Sequence, residues 1–158
     1  HTNGFSLARK IVFERCGYGV DQHIPELGTT IGDELLKHHK SYVKTILDLR
    51  KQFEIKGVAH VTGGGLPDNL VRILPKNCQA IIRKNSWCVP PIFPFLQVKG
   101  NVCQEEMFHV FNMGIGMILV CSPNQVDAIR EKVPEAIVVG KIITLEESHG
   151  NTVELLGK

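Results

Sequence analysis

Apolar and polar positions alternate in a way that divides the chain into helical and extended segments. From Asn3 to about Phe13 the apolar residues recur at helical spacing. Leu7 and Ile11 share one face, the stem of Lys10 turns inward beside them, and Asn3 caps the start. Residues 17–30 hold three glycines and a proline and read as a loop. Thr30-Ile31-Gly32-Asp33 resembles a capping box for a short helix through Leu35 and Leu36. Ser41 to Gln52 is a second helical run, with Val43, Ile46, Leu47 and Phe53 facing inward. Ile55 to Val61 alternates as a short, mostly buried strand. Pro67 suits the first position of the next helix, where its missing N–H is no loss, and Leu70, Ile73 and Leu74 share a face there.

The second half continues the pattern. Cys78 to Arg83 is strand-like, and Val89-Pro90-Pro91 interrupts the chain. Ile92 to Val98 is a short helical segment ending at Gly100, and Trp87 anchors the loop before it. Gln104 to Phe111 predicts a helix stopped at Asn112 and Gly114, and Ile115 to Cys121 a buried strand. Ser122-Pro123-Asn124-Gln125 is a strong helix start, with Val126, Ile129 and Val133 supplying the inner face. Ala136 to Thr144 and Thr152 to Leu156 predict the last strands. Helices and strands interleave without strict alternation, which predicts an α+β domain with a mixed sheet and helices packed on it.

A chain of 158 residues suits one domain with a sizeable core. Eighteen Lys and Arg against sixteen Asp and Glu leave a net charge of +2, too near neutral to argue for nucleic acid. No apolar run has the length of a membrane span, and no signal peptide is visible. The five cysteines lack C-x-x-C spacing and read as buried free thiols of a cytoplasmic protein. The first residue is His1, not Met, and the opening residues read as the interior of a longer chain.

Chemistry concentrates at His60-Val61-Thr62-Gly63-Gly64-Gly65-Leu66-Pro67-Asp68-Asn69-Leu70-Val71-Arg72. Three glycines between a strand and a helix start let a ligand approach the backbone, and first-turn N–H groups have no internal partners. Arg72, one turn in, adds a bidentate donor. Two readings fit: a phosphate cradle, or a tight turn whose glycines serve packing alone. The signature of a P-loop is absent.

Other constellations are weaker. His1, Asn3, Gly4, Ser6 and Arg9 form a second polar cluster at a helix start, read either as a further wall of a site or as a cap with an exposed surface. The glycines of Phe111 to Met117 precede a strand, so they are no dinucleotide fingerprint; they turn the helix into the sheet, with Asn112 a polar contact there. His38 and His39 are neighbours pointing about 100° apart on a helix and read as solvated, not metal-binding. His109 reads as a core-edge histidine. No nucleophile triad stands out.

Five segments in order resemble phosphoribosylformylglycinamidine cyclo-ligases, also called aminoimidazole ribonucleotide synthetases: His1 to Arg9, part of Leu35 to Lys44, His60 to Arg72, Trp87 to Gln97, and Glu106 to Met117. Selenophosphate synthetase, thiamine-monophosphate kinase and a hydrogenase maturation factor share the architecture but not the His-x-Thr-Gly-Gly-Gly wording. The resemblance covers the C-terminal half of such an enzyme. It implies a three-layer α/β/α domain with a mixed sheet, spanning 1–158 as the substrate-side domain. The N-terminal domain that supplies the homodimer interface and most of the ATP and magnesium site is absent from this chain. The implied reaction uses ATP to close the imidazole ring of formylglycinamidine ribonucleotide, giving aminoimidazole ribonucleotide, ADP and phosphate, with no nucleic-acid or membrane partner.

The resemblance further implies that Thr62, Gly63, Gly64, Gly65 and Arg72 form one wall of the cleft and that His1, Asn3 and Ser6 form another. Arg9, Asn69 and Asn112 join the substrate- and phosphate-binding set. His60 and His1 are the catalytic candidates. Three positions depart from the family pattern: His38-His39 for Pro-Thr, Val71 for proline, and Val110 for threonine. A phosphometabolite-binding module, or another ATP-dependent kinase or synthetase of the same architecture, are the alternatives.

Overall fold

The computed structural model describes residues 2–145 and 152–157. The first helix, α1 (Phe5–Arg9), runs directly into a wider π-helical turn, Lys10–Arg15. Its cap differs from expectation. Gly4, with φ +76°, is the N-cap, and no side chain caps the helix. Asn3 turns away instead and donates from Nδ2 to Val110 O at 3.0 Å. Ala8, Ile11 and Val12 are buried, whereas Lys10 is exposed. The predicted loop over 17–30 contains a small hairpin, β1 (His23–Ile24) paired with β2 (Thr29–Thr30).

Thr30 then caps α2 (Ile31–Leu35) as its sequence predicts: its Oγ1 accepts from Asp33 N at 3.1 Å and donates to Asp33 Oδ2 at 2.8 Å. Helix α3 (Val43–Gln52) follows, and here the predicted inner face is overturned. Val43 and Leu47 are 66% and 53% exposed, Ile46 is half-buried, and Leu49 is the helix's buried side chain. Periodicity locates a stripe on a helix but not the neighbour it packs on.

Strand β3 (Ile55–His60) lies antiparallel to β5 (Met117–Cys121), with His60 opposite Met117. Beyond the ladder, Val61 N donates to Gly116 O at 2.9 Å. Helix α4 (Gly65–Val71) begins at Gly65, so Pro67 is its third residue and not its first. Leu66, Leu70 and Leu74 enter the core. Strand β4 (Cys78–Arg83) is central to a mixed sheet, antiparallel to β6 (Gly140–Thr144) and parallel to β7 (Thr152–Leu156). β6 is shorter than predicted. At Gly140 a Cβ would overlap the Ile81 carbonyl, so the strand can lie there only as glycine.

Helices α5 (Ile92–Gly100) and α6 (Gln104–Val110) match their predicted spans. Trp87 fixes the preceding loop, donating from Nε1 to Met113 O at 2.8 Å and meeting the Phe108 ring edge-on. Ser122 to Gln125 opens as a single tight turn leading into α7 (Val126–Lys132), and Ser122 caps through its backbone carbonyl alone. The fold is α+β, with helices around a mixed sheet. Among the described residues, however, the strands divide into three separate sheets rather than one. No helix among these residues is long and apolar enough to cross a membrane. None of the five cysteines is buried, against expectation: Cys88 and Cys103 are exposed, the others half-buried.

Candidate substrate and phosphate site

Strand β3 delivers the chain to the glycine loop, and Asn69 shapes it. Thr62 Oγ1 donates to Asn69 Oδ1 at 3.1 Å. Asn69 Nδ2 faces the carbonyls of Thr62, Gly63 and Gly65 at 3.3, 3.1 and 2.8 Å. Arg72 Nη1 approaches Asn69 Oδ1 at 3.4 Å. Asn69 is 6% exposed, so its amide is an internal clamp on the loop. In a planar trans peptide the C=O and the next N–H point opposite ways. Drawing the Thr62 and Gly63 carbonyls inward therefore turns the N–H groups of Gly63 and Gly64 outward. That is the arrangement an oxyanion needs.

The three glycines are required for different reasons. Gly64 has φ +90°, and a side chain there would crowd Asp68. Gly65 has φ +62°, and a Cβ there would overlap the carbonyl of Phe108. The fold accounts for both. Gly63 is different: its φ lies outside the left-handed region, it is exposed, and a Cβ would meet nothing within 4 Å. Neither conformation nor packing within the described residues calls for glycine there. Open space at Gly63 is what close approach of a ligand to the backbone requires.

The second cluster rests on the same support. Gly4 packs against the Phe111 ring and Val110, next to the Asn3 bond to Val110. Asn3 Oδ1 is buried and has no hydrogen-bond partner among the described residues. Ser6 and Arg9 are exposed, while His1 lies outside the described residues. Gly65 and Gly4 thus sit on successive residues of one segment, Phe108 to Phe111. Asn112, 2% exposed, accepts from Gly114 N at 2.8 Å through Oδ1 and holds the turn beyond that segment.

Sequence reasoning missed three contacts. The Asn69 clamp was detectable as an amide inside a helix, where such side chains favour local backbone bonds. His109 is exposed, and its Nδ1 lies 3.8 Å from Asp68 Oδ2 beside Gly64. His39, exposed as predicted, sets its ring edge-on to His60 with centroids 5.6 Å apart. Their separation in sequence gave no signal of that meeting. Among the described residues no three His, Cys, Asp or Glu side chains gather as a metal site.

Residues 1–150 match the family model described as AIR synthase related protein, C-terminal domain. The chain belongs to this family. Within the AIR synthase related C-terminal domains it is similar to three proteins named phosphoribosylformylglycinamidine cyclo-ligase. That of Syntrophotalea carbinolica is 47% identical over 160 residues, covering 99% of this chain and 46% of the relative. That of Geotalea uraniireducens is 46% identical over 150 residues, covering 92% and 43%. That of Thermodesulfovibrio yellowstonii is 48% identical over 145 residues, covering 89% and 42%. The chain therefore spans less than half the length of the curated relatives it matches.

Proposed function

We propose that this chain is the substrate-side half of a phosphoribosylformylglycinamidine cyclo-ligase, an ATP-dependent enzyme that closes the imidazole ring of a ribonucleotide in the cytoplasm. The observation that carries the site is Gly63, an open glycine over outward N–H groups, with the relatives' common name giving the reaction. The ribose 5′-phosphate, or the phosphoryl group passing through the reaction, lies against the N–H groups of Gly63 and Gly64. Arg72 adds charge-assisted donors from the rim. Asn69 and Thr62 act by holding the loop in shape, and Asn112 by holding the neighbouring turn. Asn3, with its unpartnered Oδ1, supplies an acceptor on the second wall beside Ser6, Arg9 and His1. His60 orients the substrate or moves a proton at the loop entrance.

On the same reading, the ligands for Mg2+ and most contacts to ATP belong to the N-terminal domain of the intact protein, which also carries the homodimer interface. ATP supplies the phosphoryl group that activates the formamide oxygen for ring closure. The test is the intact protein, with both halves: ADP and phosphate should appear only when formylglycinamidine ribonucleotide is present. ADP release independent of that substrate, or none at all, overturns the reading. Isothermal calorimetry on the 158-residue chain separates a stand-alone binding module from an enzyme half, since only the module should bind a phosphorylated metabolite tightly by itself.

A further inference from the structure

His39 stands where the family pattern has threonine, in a segment that reads from sequence as solvent-facing. The structure gives it a partner. Its ring meets the His60 ring edge-on, interplanar angle 89° and centroids 5.6 Å apart. His60 is the last residue of β3, two residues before Thr62 opens the glycine loop. The His60 side chain is exposed.

Ion pairs lie on both sides of His39. Lys37 Nζ pairs with Glu34 Oε2 of α2 at 2.5 Å. Lys40 Nζ pairs with Glu135 Oε1, beyond the end of α7, at 2.5 Å, and lies 5.7 Å from the centre of the Tyr42 ring. Each pair alone is a weak surface interaction. They flank His39 at two and one residues' distance, and the Lys40 pair links its neighbour to the end of α7. An edge-to-face ring pair adds a directional preference of its own.

We infer that His39 is a positioning residue for His60: the edge-on His39 ring selects the rotamer of the His60 imidazole at the end of β3. This rests on the proposed role of His60 for its value to catalysis, but not for its geometry. The consequence is specific to this chain. A threonine at 39 has no ring to offer.

Two experiments separate the geometry from the chemistry. The first is NMR on the 158-residue chain, reading the Hα–Hβ couplings and ring proton shifts of His60. Wild type should show a single His60 rotamer. His39→Ala and His39→Thr should average the couplings and move the ring protons, with backbone amides outside the two neighbourhoods unchanged. His39→Phe keeps a ring and should restore the single rotamer. His60 couplings that stay unaveraged in His39→Ala overturn the proposal, as does averaging that His39→Phe fails to reverse.

The second is kinetics on the intact two-half protein. If His60 serves the reaction, His39→Ala should lower kcat/KM several-fold and His39→Phe should recover it. If the rotamer moves while kcat/KM stays constant, the positioning stands and the catalytic role of His60 falls.

Discussion

Gly65 lies so close to the carbonyl oxygen of Phe108 that no side chain fits between α4 and the end of α6. The contact joins the glycine loop to the segment that also carries Asn3 and Gly4. Gly65→Ala combines a left-handed backbone, which costs about 1–2 kcal/mol for a residue with a Cβ, with a backbone overlap that cannot relax locally. The expected loss is about 3 kcal/mol or more, read as a lower urea midpoint with an unchanged slope.

Gly63→Ala should behave in the opposite way. Its φ is ordinary and the space over it is empty, so stability should stay within about 0.5 kcal/mol of wild type. Turnover of the intact enzyme should nevertheless fall, because the methyl group stands over the N–H groups assigned to phosphate. Wild-type kinetics in Gly63→Ala would remove the loop from the binding site.

The Asn69 clamp separates stability from function in another manner. Asn69→Ala removes the amide that faces the Thr62, Gly63 and Gly65 carbonyls, of which the Gly65 bond is buried, at an expected cost of about 1–3 kcal/mol. Asn69→Asp should be worse, since it sets a carboxylate against three carbonyl oxygens. Arg72→Ala, at an exposed position, should leave the unfolding midpoint nearly unchanged while raising KM or lowering kcat in the intact enzyme.

Helix α3 offers a direct check on its corrected orientation. Leu47→Lys should change stability by no more than about 0.5 kcal/mol, whereas Leu49→Ala should cost about 2–4 kcal/mol. Chemical denaturation of the two variants decides it.

The thiols should react in a set order. Cys88 and Cys103 are exposed and should react first with a disulfide reagent near pH 8. Burial pushes the Cys121 thiol up, so less of it is thiolate at that pH and it should lag. Raising the pH increases its thiolate fraction and should narrow the gap.

What the sequence made legible was local. Thr30 and Asp33 announce their own cap, Trp87 its anchor, and β3 with the following glycines the strand-to-loop passage, because each depends on neighbours a few residues away. Errors arose where a distant partner decides. Asn3 reads as a cap until Val110 takes its amide. Val43 and Leu47 read as core until the surface they face turns out to be solvent. The separation of β3 and β5 from the mixed sheet is a matter of long-range pairing that periodicity does not encode. In the site, the triple glycine was visible at once, but the distinct demand at each of its three positions depends on Asp68, Phe108 and empty space. His39 and His60, twenty-one positions apart, had no pattern in common.

The stretch from Phe108 to Phe111 acts as a gauge block. Gly65 is pressed onto one end and Gly4 onto the other, each through a contact that tolerates no added atom. Gly65 meets backbone there, the Phe108 carbonyl, whereas Gly4 meets side chains, the Phe111 ring and a Val110 methyl group. Both loops therefore lean on the end of α6, and a substitution anywhere in Phe108 to Phe111 reaches the two of them at once.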